Sequence, residues 1–161
     1  PLTGLFNRRR MLKELAAAVS DTRRYGDPFA LVFIDLNRFK RVNDSHGHDA
    51  GDRFLSGFAA LLEQTARDTD RPGRWGGDEF VVLLPRSTGI GARQFADRLH
   101  ERLGSQRIDI GPVQLLASAS IGIAVLADDG ADPEALIAHA DQEMYRVKQA
   151  REPASRVADP A

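Results

Sequence analysis

The chain has no cysteine among its 161 residues, which excludes disulfide staples and thiolate chemistry and fits a reducing compartment. It also lacks an excess of charge of either sign. Its 22 Lys and Arg stand against 23 Asp and Glu, a formal net charge of -1, so there is no basic field to hold a nucleic-acid polymer. Long hydrophobic runs are missing too. The longest, "FALVFI" and "FVVLL", fall far short of the roughly 20 residues that a membrane span needs, so no membrane contact is expected of this domain. The N-terminus carries no signal-peptide pattern. No G-x-x-x-x-G-K-[ST] occurs, and "GIG" at 89–91 lacks the third glycine of a dinucleotide loop, so any nucleotide must be held by other means.

What is present fits one globular domain. Hydrophobic residues at 42% and charged residues at 28% are ordinary for a packed core and argue against disorder. The length suits a single domain, expected over residues 1–151, with the polar 152–161 as a frayed tail. The opening "PLTGLFNRRR" reads as a cut from something longer.

Helix and strand signals alternate. Met11, Leu12, Leu15 and Val19 recur at helical spacing, and "FALVFIDL" (29–36) reads as a strand buried on both faces. A second helix is expected from Asp49, carrying Phe54, Leu55, Phe58, Ala59, Leu61 and Leu62 on one stripe. "FVVLLP" reads as a strand, Phe95, Leu99 and Leu103 as a helix, and "QRIDI" and "VQLLASASIGIAVL" as strands either side of "GP" at 111–112. Leu136, Ile137, Ala140, Met144 and Val147 mark a last helix. The tight turns at 76–79 and 111–112 demand antiparallel neighbours. The expected fold is therefore α/β (α+β), with a central mixed, mostly antiparallel five-stranded sheet ringed by helices.

The chemistry concentrates at "RWGGDEF", residues 74–80. Asp35 ends the first strand, and the hairpin presents Asp78 and Glu79, so three carboxylates converge if the two strands are neighbours. Two bare carboxylates about 4 Å apart repel by roughly 4 kcal/mol at an effective dielectric near 20. A hard divalent ion removes that cost, and oxygen ligands suit Mg²⁺ or Mn²⁺. Gly76 and Gly77 let the backbone turn tightly and let a bulky ligand lie against it. The plain alternative is a hairpin with solvated acids at its tip.

The polar segment "DLNRFKRVNDSHGHDAGD" (35–52) favours a site. Asn43 offers donors and acceptors and Asp52 can accept from two N–H groups, which suits a guanine edge. Lys40 can reach a phosphate. A structural reading also stands, in which Asn43 and Asp44 make an Asx turn and Asp49 caps the next helix. His46 and His48 read as turn residues rather than metal ligands.

"PLTGLFNR", "FIDLNRFKRVNDSHGHDAGD", "RWGGDEF", "SASIGIA" and "ADQEMYRVK" together resemble the GGDEF family, the diguanylate cyclases that condense two GTP into cyclic di-GMP. The resemblance runs from Leu2 to about Lys148. It implies a palm-like, nucleotide-cyclase fold with a ferredoxin-like core and a GGDEF β-hairpin. It implies Asp35 and Asp78 as metal ligands with the Leu36 carbonyl, and Glu79 as general base or further ligand. Asn43 and Asp52 would read guanine with His48 nearby, while Lys40 and Lys148 would hold phosphates. Because one site takes one GTP, a homodimer is implied for catalysis. "RDTD" matches the family's R-x-x-D product-inhibition site, giving Arg67 and Asp70, with Arg98 of a partner domain completing it. A cytoplasmic setting is expected, with any membrane anchor in segments outside this chain. The alternative function is a weak or inactive domain that binds cyclic di-GMP or GTP. Two departures from the pattern stand out: Asn37 where an aspartate is usual, and Arg151 one place early in the run after Lys148.

Overall fold

The computed structural model describes residues 2–126 and 132–151; the expected tail, 152–161, lies outside them. In chain order the elements are α1 (Arg8–Tyr25), β1 (Phe29–Leu36), α2 (Phe39–His46), α3 (His48–Thr65), β2 (Arg71–Gly76), β3 (Glu79–Pro85), α4 (Gly89–Ser105), β4 (Arg107–Asp109), β5 (Gln114–Leu116), β6 (Ala119–Leu126) and α5 (Pro133–Arg151).

Four strands form the central sheet in the order β2-β3-β1-β6, every neighbouring pair antiparallel. Strand, helix, hairpin, helix and strand in this order give the ferredoxin-like core. All eight residues of β1 are buried, because helices cover both faces. Ala30, Val32, Ile34 and Leu36 pack toward α3 and α4, while Phe29, Leu31 and Phe33 pack toward α1 and α5. The two-residue period of a strand thus divides one apolar run between two cores. Asp35 falls on the α1/α5 side, at the end of its row.

Among the described residues the sheet has four strands where five are expected; it is mostly antiparallel as expected, with one parallel bridge, Phe6 to Gly73. "QRIDI" does not join it, because β4 pairs with β5 in a separate two-stranded hairpin. The run "VQLLASASIGIAVL" breaks at Ala117 and Ser118, with Ile108, Ile110 and Ala117 turned into the α3/α4 core.

The second helix also differs. Asn43 and Asp44 make no Asx turn but lie within α2, which Phe39 and Val42 hold against the core, Phe39 stacking on Phe54 at 6.3 Å. α3 then starts at His48, with Gly47 rather than Asp49 at its cap.

α5 lies close along β6. A Cβ at Gly122 would stand 2.1 Å from the Ala140 carbonyl oxygen and 2.2 Å from the Met144 nitrogen, so only glycine admits that approach. Among the described residues no helix is long and apolar enough to cross a membrane.

Candidate active site

Register places the acidic groups. Asp35 on β1 lies opposite Glu79 on β3 and opposite Ser120 on β6, so the three stand in one row across the sheet end. Asp78 precedes Glu79, and its carbonyl accepts from the Leu36 N–H at 3.1 Å. The sequence expectation that Asp35 and the hairpin acids meet is thus met by direct strand pairing.

The hairpin turn is Gly77–Asp78, since Gly76 pairs with Glu79. Gly77 has φ 40°, the positive value that a turn with glycine at its first central position requires. Arg74 closes the turn, its Nε and Nη2 donating to the Gly77 carbonyl at 3.0 and 2.8 Å. Gly76 and Gly77 are exposed, and Asp78 and Glu79 half-buried. On the same face, Trp75 meets Phe33 edge-on at 5.6 Å.

These carboxylates are electrostatically uncomfortable. Burial, then the Asp35 carboxylate, push the Asp78 carboxyl above its ordinary value of 3.8, against hydrogen bonding within its own backbone and the charges of Lys148 and Arg74. Burial also raises Glu79, followed by Asp35, Asp141 and Asp78, with Lys148 opposing. Lys148, from the last turn of α5, pairs with the Asp35 carboxylate, which is only 5% exposed. Asp141 lies on the same helix. Sequence reasoning missed it, although its spacing of seven from Lys148 is two helical turns.

The donor set is all oxygen, which suits a hard cation: Asp35, Asp78, Glu79 and the Leu36 carbonyl. Burial first and the Asp35 carboxylate second push both Asp78 and Glu79 up, and a bound cation would offset that cost. Among the described residues no three His, Asp or Glu side chains are gathered into a ready cage, and Lys148 provides the cation at Asp35. The residues present fit the ion in chemistry, with Lys148 as its competitor.

Asn43 is half-buried. A Cβ at Gly51 would stand 1.8 Å from its Oδ1, so Gly51 opens the niche that seats the Asn43 carboxamide, one residue before Asp52. Asp52, exposed on α3, lines a groove of about 630 Å³ with Leu2, Arg53, Ser56 and Arg107 among others. His48 and Lys40 are exposed, in the first turns of α3 and α2.

Asn37 is tied to β6 and to the residue just before it. Its Nδ2 donates to Ser118 Oγ at 3.1 Å, and the buried Ser120 donates to its Oδ1 at 2.8 Å. Arg151 donates from Nη1 to the Ala119 carbonyl at 3.1 Å.

Arg67 and Asp70 form a separate unit at the end of α3. The Arg67 N–H donates to the Asp70 carboxylate at 2.7 Å, and the Asp70 N–H to the Arg67 carbonyl at 3.0 Å. Asp70 is buried and the Arg67 side chain exposed. Arg98 sits half-buried on α4, its guanidinium 5.8 Å from the Phe95 ring centroid.

Residues 1–153 match the family described as "Diguanylate cyclase, GGDEF domain". The chain belongs to the GGDEF family. This GGDEF domain is 38% identical over 149 residues to the response regulator PleD of Caulobacter vibrioides, covering 91% of this chain and 33% of PleD. It superposes with a TM-score of 0.89 and 34% identity on the diguanylate cyclase SiaD of Pseudomonas aeruginosa, solved with its activator SiaC, covering 94% of this chain and 58% of that one. A microbial GGDEF domain solved with cyclic di-GMP matches at TM-score 0.80 and 31% identity, covering 94% of this chain and 90% of that one. The chain thus spans about a third of PleD's length.

Proposed function

We propose that this GGDEF domain is a diguanylate cyclase, joining two GTP into cyclic di-GMP with release of two pyrophosphates. The observation that carries the reading is the cross-strand meeting of Asp35 with Glu79, Asp78 beside them, under Lys148. Asp35, Asp78 and the Leu36 carbonyl would hold Mg²⁺ or Mn²⁺, with Glu79 beside the ion. That ion, once bound, supplies charge stabilisation at the α-phosphate and makes the attacking hydroxyl more acidic.

The chain's own groups do the rest. Asn43 and Asp52 bind the guanine edge, with His48 at its border. Lys40 and Lys148 hold phosphates, and Gly76 and Gly77 leave room for them against the hairpin. Glu79, set opposite Asp35 by strand pairing, takes the proton of the 3′-hydroxyl as its oxygen attacks the α-phosphorus and pyrophosphate departs in line. Each site holds one GTP, so ring closure needs two domains face to face, a homodimer at least in passing. Arg67 and Asp70, with Arg98 of a second domain, bind the product as an inhibitor, the exposed guanidinium of Arg67 offering a two-pronged fork. The reading places the domain in the cytoplasm, with its substrate GTP.

The test is incubation with GTP and MgCl₂ while following pyrophosphate and cyclic di-GMP at several protein concentrations. Turnover rising more steeply than linearly supports paired domains. A second reading, a domain that binds cyclic di-GMP or GTP without turnover, is favoured by the Lys148 contact that already neutralises Asp35. Cyclic di-GMP binding with no pyrophosphate release at any concentration selects it over the first.

A further inference from the structure

The apolar stripe of α5 stops short of its end. Leu136, Ala140 and Met144, spaced by four, are buried, but the next positions on that side are Lys148 and Arg151. Beyond Met144 the half-buried Val147 is the remaining apolar side chain, and polar contacts fasten the last turn. The two cations reach neighbouring points of the sheet: Lys148 the carboxylate of Asp35, Arg151 the carbonyl of Ala119. Those acceptors are adjacent in register, Asp35 opposite Ser120 and Leu36 opposite Ala119. The charge of Arg151 also helps, after burial, to lower the pKa of His100 on α4, so Arg151 sits where α5, β6 and α4 come together.

We propose that Arg151 is a positioning residue for Lys148, pinning the last turn of α5 to the Ala119 carbonyl so that the Lys148 ammonium stays over the acidic row. Lysine is a point charge on a flexible four-carbon stem, whereas the planar guanidinium of arginine loses less freedom for each hydrogen bond. An unpinned final turn frays, and the ammonium moves away with it. Arg151 thus acts through a backbone carbonyl rather than by gripping a phosphate. Its consequence for substrate rests on the reading of Lys148 as a phosphate-holding group; its consequence for the Lys148–Asp35 contact does not.

The experiment has two arms on the whole chain. In nucleotide-free protein, ¹⁵N spectra of the lysine ammonium groups give a slowly exchanging signal assigned by its loss in Lys148→Ala. Arg151→Ala removes or broadens that signal while far-UV circular dichroism is unchanged, and Arg151→Lys, which keeps one donor, retains it. The second arm is a double-mutant cycle on GTP turnover and on GTP affinity by calorimetry. Arg151→Ala raises KM by about tenfold, the scale of one charge-assisted hydrogen bond, with kcat nearly unchanged. In the Lys148→Ala background it adds nothing further. An unchanged Lys148 signal in a folded Arg151→Ala variant overturns the proposal, as do losses that add in the cycle. A wild type that shows the signal yet turns over no GTP would instead count against the cyclase reading, leaving the positioning role standing on the spectra.

Discussion

The two acidic motifs of this domain are in opposite electrostatic states. At the sheet end, burial and then the Asp35 carboxylate raise the carboxyls of Asp78 and Glu79 above their ordinary values, and the charges of Lys148 at both and Arg74 at Asp78 offset only part of it. At the R-x-x-D turn, Asp70 is buried but accepts from the Arg67 N–H, and Arg71 ties down the carbonyls of Asp68 and Asp70 at 2.9 and 3.1 Å. The turn satisfies itself and leaves the Arg67 side chain to face outward. The sheet end holds an unmet charge, the condition expected where a cation and a reacting group belong. A motif can therefore be functional through what it leaves unsatisfied, or structural with one outward-facing residue to spare.

The largest effect that would break this contrast is at Asp78. Asp78→Asn is expected to lower cyclase turnover by on the order of 10²–10³-fold, the scale for losing one preorganised charge-stabilising group. It is expected at the same time to raise the metal-free melting temperature, because it removes a half-exposed charge held beside Asp35, by an amount that solvent screening keeps small. The sign against pH follows from the raised carboxyls. The folded chain holds these protons more tightly than the unfolded one, so their stabilising contribution is complete below the ordinary values of 3.8 and 4.5 and is lost as pH rises through the raised values. The stability gap between Asp78→Asn and wild type should widen with rising pH and shrink again on adding Mg²⁺, measured by thermal melts across pH. A wild type that stays the more stable at neutral pH without metal would remove the contrast.

A middle case sharpens it. The Asn43 carboxamide is seated in the space that Gly51 leaves open. Gly51→Ala is expected to displace that carboxamide and raise the KM for GTP by roughly ten- to a hundredfold, the order for one lost hydrogen bond of about 1–3 kcal/mol, with a smaller change in kcat. Steady-state kinetics check this. An equal effect on turnover of ATP, if any is detected, would deny Asn43 a role in reading the base.

What the sequence makes legible follows from what has a period or a turn. β1 is an unbroken apolar run, and the glycines of "RWGGDEF" announce a tight hairpin; together they bring Asp35 to Glu79. The stripe of α5 is likewise plain in Leu136, Ala140 and Met144. The helix α2 is hidden because it is eight residues long and follows Arg38, whose φ of 59° is not a value its residue type announces. The break between β5 and β6 is hidden because Ala117 and Ser118 carry no turn signature; it frees β5 to pair with β4 outside the central sheet, which among the described residues is left with four strands instead of the expected five. Gly51 and Gly122 show their reason only when Asn43 and α5 are in place. Arg151 escapes because its partner is a backbone carbonyl, which no letter of the sequence records.

The smallest effect separates structure from function within the R-x-x-D turn itself. Asp70→Ala removes the acceptor of the Arg67 N–H and is expected to cost about 1–3 kcal/mol, the range for leaving a buried partner unsatisfied, read by urea unfolding. Arg67→Ala keeps that N–H and should change stability by less than about 0.5 kcal/mol, as for an exposed side chain away from the core. Its effect should appear in calorimetry with cyclic di-GMP instead, as a loss of affinity that stability does not explain. If Arg67→Ala left that affinity intact, the guanidinium would have no ligand to serve, and the turn would be a helix terminus whose aspartate does only local work.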